Sequence, residues 1–324
     1  MTVSRKREKG VHAPVLLQES LSFLAPHSHG LYVDGTFGSG GYSIAILGAA
    51  RCRVVGIDRD PAAILGGSAV TRRFPGRLTL IEGCFGNMAA LLAARGLQAV
   101  DGVTLDLGVS ALQLETPERG FSFLADGPLD MRMGRSHMTA AEIVNTWAEN
   151  QISCIIRVFG EEKFANRVAR AIIATRPITR TATLAALIRR VVPRTANGID
   201  PATRTFQALR LFVNNEVEEL SRVLIASEKI LSPGGRLVLV AFHSLEDRII
   251  KRFFQERAGN KPRVSRHRPE TPCSCKHDAT FRLLTSHVIR PCDTELVSNP
   301  RARSARLRAA ERTTAPPWPY ESPN

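Results

Sequence analysis

Residues 31 to 50 read LYVDGTFGSGGYSIAILGAA, and their pattern indicates the fold class. A short apolar run ends at Asp34, a loop with four glycines follows, and an apolar stretch with helical character comes after the loop. Strand-like and helix-like patterns go on alternating, with predicted strands at 31–34, 53–58, 78–83 and 100–108. Such an alternation predicts a parallel sheet with helices on both faces, because each strand reaches the next through a crossover helix.

The middle of the chain has a different pattern. From residue 113 to 214, strand-like alternation disappears and helical periodicity replaces it. Thr139 and Glu142 form a capping box at the start of one helix, and a later helix is predicted from about Phe206 to Leu231. A buried strand pattern resumes at 232–244, so the helical block is interpreted as an insertion into an α/β sheet.

We therefore predict an α/β protein with three parts. Its 324 residues, 44% of them hydrophobic, suffice for one large core or two modest ones. The main domain is predicted to be discontinuous, spanning 10–112 and 215–312, with an inserted helical domain at 113–214. The proline content of 313–324 predicts a disordered tail.

The charge balance indicates a polyanionic partner. The formal net charge is +14 and the sequence pI is about 10.3. Residues 257–312 hold 13 Lys or Arg against 5 Asp or Glu, which we interpret as a surface for RNA phosphates. No apolar run approaches the length of a membrane span, and no secretory apolar region follows the basic start, so we expect a cytoplasmic protein with reduced thiols.

The spacing in the glycine loop separates three kinds of ligand. A phosphate-binding P-loop needs a lysine after the glycines, and none follows here. A dinucleotide fingerprint starting at Gly38 has Ser43 in place of its third glycine, which weakens an NAD-dependent oxidoreductase without excluding it. An acid at a strand end with glycines four and six residues later, as in Asp34, Gly38 and Gly40, fits the Rossmann-like methyltransferases that use S-adenosylmethionine.

Later strand ends add candidate ligand groups. Asp58 can accept ribose hydroxyls, Phe85 can cover an adenine face, and Asp106 can bind the adenine amino group or face the substrate. Structural alternatives stay open, since Asp34 and Asp58 can cap the following helices and Phe85 can be a core residue. The carboxyl ends of parallel strands share one edge of a sheet, so these side chains are predicted to lie together.

Seven motifs lie along nearly the whole chain: HAPVLLQESL (12–21), DGTFGSGGYS (34–43), GIDRDPAAI (56–64), LDLGVSALQLETPERGFSFLADGPLDMRM (105–133), PATRTFQALRLFVNNEVEEL (201–220), AFHSLEDRIIKRFF (241–254) and NPRARSARLRAAER (299–312). Together they resemble the RsmH (MraW) family, whose members methylate the 4-amino group of a cytidine in small-subunit rRNA. The long segment at 105–133 is far more specific than a glycine loop.

The resemblance implies a Rossmann-like S-adenosylmethionine-dependent methyltransferase domain with an inserted all-helical domain. It implies methylation of the cytidine at position 1402 of 16S rRNA, in the decoding centre. The implied cofactor contacts are Gly40, Gly41, Tyr42, Asp58, Phe85, Asp106 and Gln113. This chain departs from the commoner family pattern in two places, since Tyr42 replaces a histidine and Ala111 replaces a serine.

The acceptor chemistry needs a hydrogen-bond acceptor at the cytosine amino group, because its lone pair is delocalised into the ring. Candidates are Asp106, Ser110, backbone carbonyls and His243. We predict Asp106 and His243 as catalytic residues, although His243 also suits a structural hydrogen bond. Base methylation also needs an unpaired or extruded cytosine. The candidates for stacking on that base, each of which also suits the core, are Phe121, Phe123 and Phe242.

Two further interpretations concern metal and partner. Cys273, Cys275 and His277, with His287 and Cys292, have the composition of a zinc site but poor spacing, and we predict no metal. A non-enzymatic RNA-binding assembly factor explains the charge but leaves the loop and the strand-end acids without a role. The predicted partner is 16S rRNA in the small ribosomal subunit, in a late assembly intermediate, with monomer and homodimer both open.

Overall fold

The computed structural model describes residues 14–135, 138–194, 198–259 and 277–319. Its strands are β1 Leu31–Asp34, β2 Arg53–Asp58, β3 Leu78–Glu82, β4 Val100–Asp106, β5 Leu231–Ala241, β6 Phe281–Leu283 and β7 Arg306–Arg312. They form one sheet in the order β3-β2-β1-β4-β5-β7-β6. Strands β1 to β5 are parallel, and β7 is antiparallel to both of its neighbours. The four strands predicted in the first third of the chain are confirmed, as is the Rossmann-like α/β class.

The helices are α1 Leu17–Leu24, α2 Gly41–Ala49, α3 Pro61–Gly66, α4 Ser68–Arg73, α5 Met88–Ala93, α6 Ala111–Glu115, α7 Ala140–Thr146, α8 Glu149–Gly160, α9 Ala165–Thr175, α10 Thr181–Val191, α11 Ala202–Val213, α12 Glu216–Ile230, α13 Ser244–Arg257 and α14 Asp293–Ser298. Short 3-10 turns occupy Phe85–Asn87, Pro117–Arg119 and Pro300–Ser304. The predicted capping box at Thr139 and Glu142 opens α7. In the part of the chain described, no helix combines the length and the apolar character that crossing a bilayer requires.

Neighbouring residues of the central strands alternate between two apolar clusters, one on each face of the sheet. Val33 and Val55 pack with α5, α12 and α13, whereas Tyr32 and Val54 pack with α1 and α2. Because successive side chains of a strand point to opposite faces, a strand covered on both sides is apolar at nearly every position. This explains the continuous apolar runs in the sequence.

A third apolar cluster belongs to the helical block. Its buried members all lie between Phe121 and Val213, in α7 to α11, in the loops that join these helices and in the loop before α7. Helix α12 instead contributes to the cluster on the sheet. The division into a main domain and an inserted domain stays a prediction, which this separation supports.

The prediction of one helix from Phe206 to Leu231 is wrong. Helix α11 ends at Val213, and α12 begins at Glu216. Between them Asn215 has φ +53°, in the left-handed region that a right-handed helix does not enter. Three glutamates in the first turn of α12 favour a new helix start there, because acidic groups interact well with the amino end of a helix.

Part of the tail predicted to be disordered is tied to the main domain. Trp318 donates a hydrogen bond from its ring nitrogen to the carbonyl of Asp278 at 2.8 Å. The guanidinium carbon of Arg257 lies 4.1 Å from the centre of the Trp318 ring, a cation–π contact. The ordered chain therefore extends past residue 312, and residues 320–324 lie outside the described part.

Candidate cofactor and active site

A cavity of about 380 Å³ opens beside the glycine loop. It lies at the carboxyl ends of β1, β2 and β4, where the strand order reverses and doubly wound sheets bind their ligands. The predicted site residues that line it are Gly41, Tyr42, Asp58, Phe85, Asp106 and Gln113. Gly40, Asp34 and His243 are not part of this lining. Sequence reasoning missed the lining residues Pro14, Arg59, Met133, Arg210 and Arg301, which come from other segments.

The Asp34 carboxylate accepts hydrogen bonds from the glycine loop and from the first turn of α2. Its Oδ2 accepts hydrogen bonds from the backbone N–H and the hydroxyl of Ser43, at 3.1 and 2.7 Å, and its Oδ1 accepts from Thr36 N–H at 3.3 Å. The side chain is buried, and burial raises its pKa to about 6 in spite of these hydrogen bonds. The structure thus shows Asp34 in the capping role, at the start of α2.

Asp58 shapes the rim of the same loop. One carboxylate oxygen accepts from Gly38 N–H at 2.7 Å and the other from Asp60 N–H at 2.8 Å. Burial raises its pKa, although both hydrogen bonds oppose that shift. Each carboxylate oxygen has a further lone pair, so the group keeps the capacity to accept ribose hydroxyls.

The two glycines that precede Tyr42 make room for protein groups. A Cβ on Gly40, whose φ is +83°, would lie 2.8 Å from the Phe37 ring, and a Cβ on Gly41 would lie 2.3 Å from Pro14 Cγ. Tyr42 is buried, and its hydroxyl donates to the carbonyl oxygen of Val15. The Tyr42 hydroxyl therefore ties Val15 and the neighbouring Pro14 to the wall of the cavity.

Asp106 brings an unsatisfied buried carboxyl oxygen to the cavity. Its Oδ1 is buried and has no hydrogen-bond partner among the described residues, whereas its backbone N–H donates to Thr36 Oγ1 at 2.7 Å. Burial first, and then the negative charges of Asp34 and Glu246, raise its pKa well above the ordinary value. A buried carboxyl without a partner is costly, so a ligand that offers an N–H group or a positive charge would be bound favourably here.

Gln113 connects the cavity wall to the turn after β2. Its Oε1 accepts from Ser110 N–H at 3.0 Å, which completes a capping box at the start of α6. Its Nε2 donates to Asp60 Oδ2 at 3.0 Å, and the same oxygen pairs with Arg119 at 2.8 Å. Both ends of the Gln113 amide are thus occupied within the protein.

His243 lies one residue beyond the cavity-lining Phe242 and caps α13. Its Nδ1 accepts from Glu246 N–H at 3.3 Å, and its Nε2 lies 3.1 Å from Glu246 Oε1. Burial raises the pKa of Glu246, but the interactions with His243, and then the charge of Arg210, outweigh burial and lower it overall. These contacts make His243 the N-terminal cap of α13, which is a structural role. Its catalytic role stays a prediction.

One of the aromatic candidates lines the cavity, and the other two do not. Of the three phenylalanines proposed for stacking, Phe242 lines the cavity, while Phe121 and Phe123 pack in the helical cluster, the latter edge-on to Phe206 with 4.9 Å between ring centres.

Of the residues considered for a zinc site, Cys273 and Cys275 lie outside the described residues. Within the described ranges, no group of three or more potential metal ligands occurs.

The model of the MraW methylase family matches residues 9–313. The chain belongs to this family. A relative from Rhodospirillum rubrum, named Ribosomal RNA small subunit methyltransferase H, is 55% identical over 312 residues, covering 95% of this chain and 96% of the relative. A relative of the same name from Acidiphilium cryptum is 54% identical over 307 residues, covering 94% and 98%.

Among solved structures, an rRNA methylase from Streptococcus thermophilus aligns with 94% of this chain and 99% of its own, at 11% identity and a TM-score of 0.40. That similarity is too low to bear on the site. Membership in the MraW methylase family confirms the prediction of a methyltransferase that uses S-adenosylmethionine. The residues present fit this cofactor, because the unpartnered Asp106 carboxyl lies in one cavity with the glycine loop and Asp58.

Proposed function

We propose that this MraW-family methylase transfers a methyl group to the exocyclic 4-amino group of a cytidine in 16S rRNA, at position 1402 in the decoding centre. The observation that carries the proposal is the unpartnered Asp106 carboxyl in the cavity where the strand order of the sheet reverses. The names of the relatives support small-subunit rRNA as the substrate. A cytoplasmic location and a late assembly intermediate as substrate belong to the same proposal.

The cofactor side of the cavity is assigned to the residues around the first three strand ends. S-adenosylmethionine supplies an electrophilic methyl group when bound. Asp58 would accept the ribose hydroxyls, Phe85 would lie against the adenine, and the backbone of Gly41 and Tyr42 would approach the amino-acid part. Gln113 would act mainly by holding the wall at Ser110, since its amide already bonds within the protein.

The acceptor side is assigned to Asp106. A cytosine amino group is a poor nucleophile, and an acceptor for its N–H groups draws the nitrogen toward tetrahedral geometry. The Oδ1 atom of Asp106 is free to accept such a hydrogen bond. Its raised pKa also suits it to hold the proton that the amino group loses. Beyond this group, exact placement of the two reactants supplies much of the rate.

The test is methyl transfer from labelled S-adenosylmethionine to 30S subunits that lack their own methylation, with the product nucleoside identified by mass spectrometry. Wild type should form 4-methylcytidine at position 1402, and Asp58→Ala should lose most of the transfer through weaker cofactor binding. Asp101→Ala is the matched control, because Asp101 lies at the opposite end of β4 and accepts from Leu31 N–H at 2.7 Å. Binding of 30S without any transfer would favour the non-enzymatic assembly factor.

A further inference from the structure

One buried side chain joins parts of the cavity wall that are distant in sequence. Asn214 follows α11 and is fully buried. Its Oδ1 accepts from Met133 N–H at 2.8 Å, and its Nδ2 donates to the carbonyl oxygens of Met131 and Arg210 at 2.7 and 2.9 Å. Its backbone carbonyl accepts from Arg59 Nη1 at 2.6 Å. The oxygen and both N–H groups of the amide are therefore used.

Three of these partners line the cavity: Arg59, Met133 and Arg210. Arg59 directly follows Asp58, on the cofactor side, whereas Met133 and Arg210 come from the helical insertion. The loop of Met133 also lies very close to the turn after β2, since a Cβ on Gly134 would be 2.4 Å from the Arg59 carbonyl oxygen. Asn214 thus fixes the spacing between the two sides of the cavity.

The loop held by Asn214 contains a residue in an uncommon backbone conformation. Met131 has φ +66°, which residues other than glycine adopt only when their surroundings hold them there. A second support comes from Arg119, which donates to the carbonyl oxygens of Arg132 and Met133, both at 3.0 Å. Because Arg119 remains, loss of the Asn214 amide should loosen the loop without releasing it.

We infer that Asn214 is a positioning residue for methyl transfer. It does not line the cavity, and its amide acts by holding Met133 beside the backbone carbonyl that binds Arg59; this inference rests on the proposed function. A displacement of about 1 Å at a reacting centre costs on the order of 100-fold in rate. Asn214→Ala should therefore act on turnover rather than on cofactor affinity, because the glycine loop and Asp58 do not depend on the Asn214 amide.

The chain offers a matched control in Asn145. Its amide has the same pattern, donating to the carbonyls of Ala141 and Ile178 at 2.8 and 2.7 Å and accepting from Ile178 N–H at 2.7 Å. It lies in the insertion but not in the cavity lining. Asn214→Ala should lower kcat on 30S subunits about 10- to 100-fold with the Kd for S-adenosylmethionine within about threefold. Asn145→Ala should change neither at a temperature where both variants are folded.

A second readout is independent of the substrate. Amide hydrogen exchange at residues 131–134 of the free protein should be about tenfold faster in Asn214→Ala and unchanged in Asn145→Ala. Unchanged exchange there, or an equal loss of kcat in both variants, overturns the inference. If wild type itself methylates no 30S subunit, the proposed function fails, and the exchange result still decides whether Asn214 holds the loop.

Discussion

At the scale of single residues, the cavity is built on carboxyl groups kept away from water. Asp34, Asp58 and Asp106 stand at the ends of three neighbouring strands, and burial raises the pKa of each. Asp34 is satisfied by the loop, and Asp106 has an oxygen without a partner among the described residues. The stability lost by burying these carboxylates is the cost of a site that binds N–H groups and positive charge strongly.

Asp34 makes stability depend on pH in a predictable direction. Its pKa is about 6 in the folded protein against about 3.8 when unfolded, so the folded state binds the proton more tightly. Its contribution to the free energy of unfolding is complete below pH 4 and is lost as the pH rises through 6. Across that range, wild type should lose about 3 kcal/mol relative to Asp34→Asn, an upper limit from the shift in pKa.

Urea unfolding followed by circular dichroism at several pH values between 4 and 7 measures that difference. Asp101→Asn controls for removal of a carboxylate at the opposite end of the sheet. The other buried carboxyls titrate in both proteins, but the charge of Asp34 also raises the pKa of Asp106. The difference between wild type and Asp34→Asn therefore reports Asp34 together with its coupling to Asp106. If the free energies of unfolding of the two proteins vary in parallel with pH, the Asp34 carboxyl does not control stability in this pH range.

At the scale of elements, the sequence predicts the strands well and the joint between α11 and α12 poorly. The central strands are apolar at nearly every position because both faces of the sheet are covered, and that pattern is local. The apolar stripe of α11 continues into α12 through Val213 and Val217, so periodicity alone does not reveal the break. The adjacent Asn214 and Asn215 are the available signal, since asparagine tolerates the left-handed region that ends a helix.

In the candidate site, too, some residues could be predicted from the sequence and others could not. The strand-end residues Asp58, Phe85 and Asp106 were predictable, because parallel topology brings the carboxyl ends of the strands to one edge. Met133 and Arg210 were not, because their place in the lining depends on how the insertion packs against the sheet. No local pattern encodes that contact.

The joint at Asn215 gives a prediction about backbone strain. Its side chain donates to Glu218 Oε2 at 2.6 Å, and replacement by alanine or glycine removes that bond equally. Only glycine adopts φ +53° without a steric penalty, so Asn215→Gly should be about 1 kcal/mol more stable than Asn215→Ala. Urea unfolding measures the difference. At Val158, exposed within α8, the order should reverse, with alanine more stable than glycine; the same order at both sites would contradict a strained joint.

Across the molecule, most arginines in the described part of the basic segment, residues 257–259 and 277–312, have partners within the protein. Five of its arginines form ion pairs: Arg257 with Glu228, Arg282 with Glu311, Arg301 with Glu115, and Arg306 and Arg308 with Asp247. Arg312 is buried and donates to backbone carbonyls. In the described part of this segment, Arg290 and Arg303 are the exposed arginines without such a partner. Within residues 277–312, ion pairing therefore leaves less charge available to RNA phosphates than the count of arginines indicates.

Arg303 is the better placed of these two, because it shares a 3-10 turn with Arg301 of the cavity lining. If it contacts a phosphate, Arg303→Ala should weaken binding to 30S and reduce the slope of log K against log salt by about 1, since one fewer counterion is released. Equilibrium binding between about 50 and 200 mM KCl measures that slope. Arg95→Ala removes the same charge from an exposed residue between α5 and β4, at the other edge of the sheet, and should leave the slope unchanged. Equal slopes in the two variants would place the RNA away from this turn, and the net charge would then act only through long-range attraction.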